Sequence, residues 1–228
     1  ALAIIVRFVP CGRTYGGPSK GILLSDFNVV FRSRAVMAYV LGYAVHMWEL
    51  FSFRAWIVAF LAYSIHRQPV EAFFWSPTRV AFIINLIGVP ASIGGNELSR
   101  KFGRRKLIAT VMLLSGGLGA VIGFTAALPY YLVVLLVVLY GMLITGDSAS
   151  LTAGAVAAAP PQLRGTTLAV HSTFGFGAAF LGPLAVGVLL DAFGGGLLAW
   201  GMGFLAMAAA CLLGPVFLYF LGSDAGDK

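Results

Sequence analysis

The chain has 228 residues, of which 60% are hydrophobic and 10% charged, and its mean hydropathy is +0.94. A soluble domain carries about 25% charged residues, so a water-soluble fold of this composition lacks the polar surface to cover itself, while its apolar content excludes disorder. The formal charge of +7 sits in short basic segments between long apolar runs, which suits membrane orientation and not nucleic acid.

In chain order, residues 1–10 (ALAIIVRFVP) read as the end of a preceding transmembrane helix and not as a signal peptide. Residues 11–35 form a basic loop. Six stretches then reach the roughly 20 apolar residues needed to cross the hydrocarbon core: 36–63, 77–98, 105–127, 130–157, 163–192 and 196–222. Residues 223–228 are a short tail. HRQPVEAFFWSP, NELSRKFGRRK, ALPYY, APPQLRG and AFGGG punctuate the spans. Open strands would leave backbone groups unpaired in lipid, so the predicted fold class is all-α integral membrane with six transmembrane helices. Cys11 lies in the basic loop and Cys211 inside an apolar run, which implies neither a disulfide framework nor a metal site.

Orientation follows from the basic residues. Arg7, Arg13, Lys20, Arg32 and Arg34 precede the first span, and Arg100, Lys101, Arg104, Arg105 and Lys106 follow the second. Arg164 and Lys228 fall on the same side; the opposite side has only Arg67 and Arg79, with Arg54 inside the membrane. The positive-inside rule places both termini of this segment in the cytoplasm, with the cell (inner) membrane as the location. Phe73, Phe74, Trp75, Tyr130, Tyr131 and Trp200 are expected to form an aromatic belt at the outer ends.

The loop after the second span, Leu98-Ser-Arg-Lys-Phe-Gly103-Arg104-Arg105-Lys106, resembles the cytoplasmic Gly-x-Leu-Ala-Asp-Arg-x-Gly-Arg-Arg signature of the major facilitator superfamily (MFS) of transporters. Aligned on Gly103-Arg104-Arg105, the family's aspartate position holds Arg100 and its first glycine position Asn96; Glu97 is the nearby carboxylate. PPQLRGTTLAVHS is similar to the family's proline–arginine approach to its eleventh helix. Ala178-x-x-x-Gly182-Pro183-x-x-x-Gly187 is similar to its Gly-Pro helix-packing motif. GYAVHMWELFSFRAW and GDSASLTAG look like a bacterial branch. The resemblance implies helices seven to twelve, the C-terminal half of a twelve-helix transporter, with 36–222 as the six-helix domain and 11–35 as the central loop. It also implies the missing N-terminal six-helix half as a partner, and a gating role for Gly103, Arg104 and Arg105.

Charges inside the spans need explanation, because an ionised side chain near a helix centre costs about 2.5–3.5 kcal/mol. At about 1.5 Å per residue from the cytoplasmic end, His171 lies roughly 12 Å deep, His46 and Asp147 roughly 15 Å, Glu49 roughly 20 Å and Arg54 roughly 27 Å. His46 and Glu49 are three apart and share a helix face. In the resembling family the first and fourth helices of each half line the central cavity, and here those carry Glu49 and Asp147. Glu49, Asp147, His46, Arg54, His171 and Ser148 are therefore the candidate substrate and proton-coupling residues. The structural alternative is that the carboxylates neutralise a histidine or Arg54 and hold helices together. For Arg54 itself, snorkelling to the outer interface is slightly favoured over contact with an anionic substrate. Thr145, Ser148 and Thr152 form a polar stripe, and Asn85 is either a ligand contact or interhelical glue.

The expected function is proton-coupled transport of a small solute by alternating access, with protons and the lipid bilayer as partners. Arg54 tilts the solute towards an organic or inorganic anion. No phosphate-binding Gly-x-x-x-x-Gly-Lys-Ser/Thr run exists for ATP. No enzyme activity, cofactor or metal is expected. A rival reading takes Gly146-Asp-Ser148 and His171 as pieces of an intramembrane serine protease, and another takes the chain as a receptor or scaffold on a transporter fold.

Overall fold

The computed structural model describes residues 24–68 and 75–222. The expectations for residues 1–10, 11–23 and 223–228, and for Phe73 and Phe74, lie outside the described residues.

The described residues form nine α-helices: α1 (Leu24–Arg32), α2 (Arg34–His66), α3 (Pro77–Phe102), α4 (Arg104–Ile122), α5 (Tyr130–Gly146), α6 (Ser148–Ala158), α7 (Arg164–Ala192), α8 (Leu197–Cys211) and α9 (Leu213–Phe220). Joined across their breaks, α5–α6 and α8–α9 each make one span. Six helical segments are then long and apolar enough to cross a membrane, and the chain has a multi-pass membrane architecture.

Local chemistry sets the ends. The Ser33 hydroxyl accepts from the Val36 N–H at 3.5 Å and caps α2. Pro77 opens α3, where its missing N–H costs nothing. Gly103 turns the chain from α3 into α4 at φ +93°, and Gly194 and Gly195 end α7 at φ +71° and +68°, a region open mainly to glycine. Pro160 and Pro161 separate α6 from α7.

Three departures from the predicted spans have physical causes. The third span stops at Ile122, before the expected residue 127, and passes into tight turns. There Gly123 lies so close to the Trp200 carbonyl that no side chain would fit. The fourth span breaks at Asp147. The sixth breaks at Leu212, just ahead of Gly214-Pro215, where proline has no N–H for the preceding turn. Leu24–Arg32, inside the segment assigned to a loop, is also helical. Its Val30 is buried and its Phe31 ring lies 6.2 Å from that of Phe174 on α7.

Helix α2 is the centre of the bundle, packing most extensively on α7 and also on α6, α8 and α9. Around it α3 lies against α5, and α4 against α8. The end of the bundle opposite the basic loop is closed by aromatic packing: the Trp200 ring stands 5.4 Å from Phe60 and 6.3 Å from Trp56. Trp200 is therefore 6% exposed and Tyr130 3% exposed, so neither belongs to the expected interfacial belt. Trp75 and Tyr131 are exposed there. Adjacent residues on a helix point about 100° apart, so Tyr130 and Tyr131 cannot share a face. At the basic end, the Arg34 guanidinium donates to the Phe220 carbonyl at 2.9 Å and ties the first span to the last.

Exposed Phe82 and Leu86 on α3, and Phe180, Leu184 and Val188 on α7, project from the bundle. In water such faces would drive association; in lipid they are the ordinary outer surface of a span.

Candidate functional site

Two polar clusters lie buried inside the bundle, and both start from one face of α2. His46 and Glu49 are each 1% exposed.

Around Glu49, the Tyr140 hydroxyl on α5 donates to Oε1 at 2.9 Å. The Ser115 hydroxyl on α4 lies 3.3 Å from Oε2 and 3.2 Å from the Met112 carbonyl, with one proton to serve either. The Cys211 sulfur on α8 is 3.5 Å from the Ser115 oxygen. Glu49 thus connects four helices. Among the described residues it has no cationic side chain within ion-pair distance. Hydroxyls rotate to donate or accept, so this shell accommodates both the carboxylate and the carboxylic acid.

The second cluster lies at the α5–α6 break. Asp147 is 2% exposed, and its Oδ1 is 2.9 Å from His46 Nδ1. The contact is off the line of a good hydrogen bond, and His46 Nε2 has no partner among the described residues. The Tyr43 ring lies 5.8 Å from His46 at 23° and 3.8 Å from His171 at 17°, stacking between the two. On its other side His171 meets Thr152, with Nε2 3.3 Å from the hydroxyl.

Beside these clusters is a groove of about 470 Å³, within the ordinary size range of small-molecule sites. Helix α2 supplies Tyr43, Met47, Phe51 and Arg54, and α3 supplies Asn85 and Ser92. Thr145 and Ser148, on either side of the α5–α6 break, complete the floor. Arg54 is exposed, its guanidinium 6.0 Å from the Phe51 ring.

The sequence-predicted residues therefore divide. Arg54 and Ser148 line the groove, whereas Glu49, Asp147, His46 and His171 lie behind it. Tyr43 spans the two regions, lining the groove and stacking on His171. Thr145 bonds its own helix at the Gly141 carbonyl, 2.9 Å away, and Asn85 does the same at Ala81, 2.8 Å away.

Gly103 forms the turn, Arg104 follows it, and Arg105 reaches over the end of the last helix beside Gly222. Glu97 pairs with Arg100 one turn along its own helix at 3.4 Å. Gly182 touches the first span so closely that a side chain would strike Ser52 and the Trp48 carbonyl. Gly187 lies against Trp56, whose indole N–H donates to the Pro183 carbonyl at 3.0 Å.

Tyr140, Ser115, Tyr43 and Cys211 were not singled out from sequence as members of these clusters. Their one signal was a polar group at mid-span. No family model matches the chain, and no curated protein matches it.

Proposed function

We propose that this chain is the six-helix C-terminal half of a transporter of the major facilitator type, moving a small solute by alternating access with protons as the coupling ion. The supporting observation is the adjacency of an open groove to a buried layer containing Glu49, Asp147, His46 and His171. Intramembrane carboxylates are costly and characteristically functional. In transporters of this kind the site lies near the midplane, where two repeats meet and rock about it.

In this reading the solute occupies the groove against Tyr43, Arg54 and Ser148. Proton exchange takes place behind it, on Asp147 and Glu49. Tyr43 is the mechanical link, because a solute displacing its ring breaks the stack on His171. The α5–α6 break places Asp147 where a small change in helix direction alters its distance to His46. The protease reading is disfavoured by the same geometry. A serine nucleophile needs a base within hydrogen-bond reach, and His171 Nε2 faces Thr152.

The test is solute accumulation in proteoliposomes under an imposed pH gradient. Asp147→Asn is expected to abolish gradient-driven accumulation while leaving solute exchange at equal pH. Undiminished gradient-driven accumulation in an Asp147→Asn, Glu49→Gln double variant would refute the coupling role. Absence of any solute movement in either mode, with solutes of every charge class, would refute transport itself and favour a receptor.

A further inference from the structure

We infer that the solute is an anion with an apolar body, and that Arg104, Arg164 and Arg54 mark its route from the basic end of the bundle into the groove. This deepens the transporter reading and rests on it.

A second recess, of about 730 Å³, lies at the basic end and is lined by Arg104, Arg164, Thr152 and Val156. Ser92 and Ser148 line both this recess and the groove, so the two spaces adjoin. Along α3, Ser92 stands about 15 Å of helical rise from Phe102 at the basic end, and Asn85 about 25 Å. Arg54 stands about 30 Å along α2 from Arg34. The recess thus leads from one end of the bundle towards an exposed guanidinium well along the first span.

The sign of the charge along this route is uniform. Arginine is the only charged residue type among the linings of either space. Among the described residues no carboxylate lies within ion-pair distance of Arg54, Arg104 or Arg164. The two intramembrane carboxylates are turned elsewhere, Glu49 to Tyr140 and Ser115, and Asp147 to His46. The Arg104 Nε is buried with no hydrogen-bond partner among the described residues. A cleft lined by one sign of charge concentrates the opposite ion.

The walls select the rest of the molecule. Around Arg54 the groove presents Met47, Leu50, Phe51, Val89, Ile93 and Phe176. An inorganic anion would leave that surface without a partner, and a neutral hydrophobe would leave the guanidinium without one. An aromatic or branched aliphatic carboxylate satisfies both, its carboxylate on Arg54 and its body against the rings.

The experiment measures thiol labelling of Ser92→Cys in the whole protein, with Cys11→Ser as background. Rates with a negatively charged and a positively charged methanethiosulfonate are each normalised to the reagent's rate with a free thiol. The anionic reagent is expected to be favoured at least tenfold, and Arg104→Gln with Arg164→Gln is expected to reduce that preference at least threefold. A ratio of one or less, or a ratio unchanged in the double variant, overturns the anion route.

Protection against labelling then tests the body. Naphthalene-1-carboxylate is expected to protect at concentrations at least fivefold lower than its carboxamide or acetate, with the advantage lost in Arg54→Gln. Equal protection by the carboxamide, equal protection by acetate, or no protection by the naphthoate overturns the apolar-anion assignment. Labelling requires no turnover. Anionic preference in a protein that moves no solute would overturn transport and retain the site, while transport with no anionic preference would do the reverse.

Discussion

At the scale of single residues, Glu49 is held by two hydroxyls from two other helices, and that shell makes its energetics testable. Removing one member leaves a buried polar group unpaired, at a cost of about 1–3 kcal/mol. Glu49→Ala strands Tyr140, whereas Glu49→Gln keeps an acceptor of nearly the same shape. Thermal unfolding in detergent is expected to rank Glu49→Ala below Glu49→Gln, with Tyr140→Phe lowered by about 1–3 kcal/mol. A Glu49→Gln protein less stable than Glu49→Ala would contradict the network. The charged members of the site were legible in the sequence, because a carboxylate among Leu and Val stands out. Tyr140 and Ser115 were not. An aromatic or small hydroxyl residue in an apolar run is ordinary lipid-span composition, and only the tertiary register brings both to Glu49.

Between elements, close approach of backbones does much of the packing, since lipid removes the hydrophobic drive for helices to associate. Spans two and four meet where Gly95 faces Gly146: a side chain at 95 would run into the Gly146 carbonyl. Gly94, its neighbour, faces open space. Gly95→Ala is expected to destabilise the bundle by at least about 1–3 kcal/mol, in the range of overpacking a core. Gly94→Ala is expected to be neutral or to stabilise by up to about 1 kcal/mol through helix propensity. Comparable unfolding temperatures for the two variants would contradict the packing of α3 on α5. Span number and approximate limits were readable because apolar length is a one-dimensional signal. The break at Asp147 was not, because no proline marks it. Helix α1 was passed over because nine residues beside a basic segment carry too short a pattern to separate from a loop.

For the whole molecule, orientation rests on basic residues gathered at one end, with Arg34 and Phe220 joined there. In cells expressing the protein, Lys101→Cys is expected to react with a membrane-impermeant maleimide only from the cytoplasmic face, and Tyr131→Cys only from outside. Both side chains are exposed at their ends of the bundle. Reaction of both from one side would contradict six crossings. These two positions also serve as sidedness controls for the claim on which the account turns, that the groove is served alternately from both faces. The most direct measurement is the labelling of Ser148→Cys, at the junction of recess and groove, in inside-out and right-side-out vesicles. Alternating access predicts labelling from both faces, with an added solute changing the balance between them. Labelling from one face alone, whatever solute is present, would contradict it.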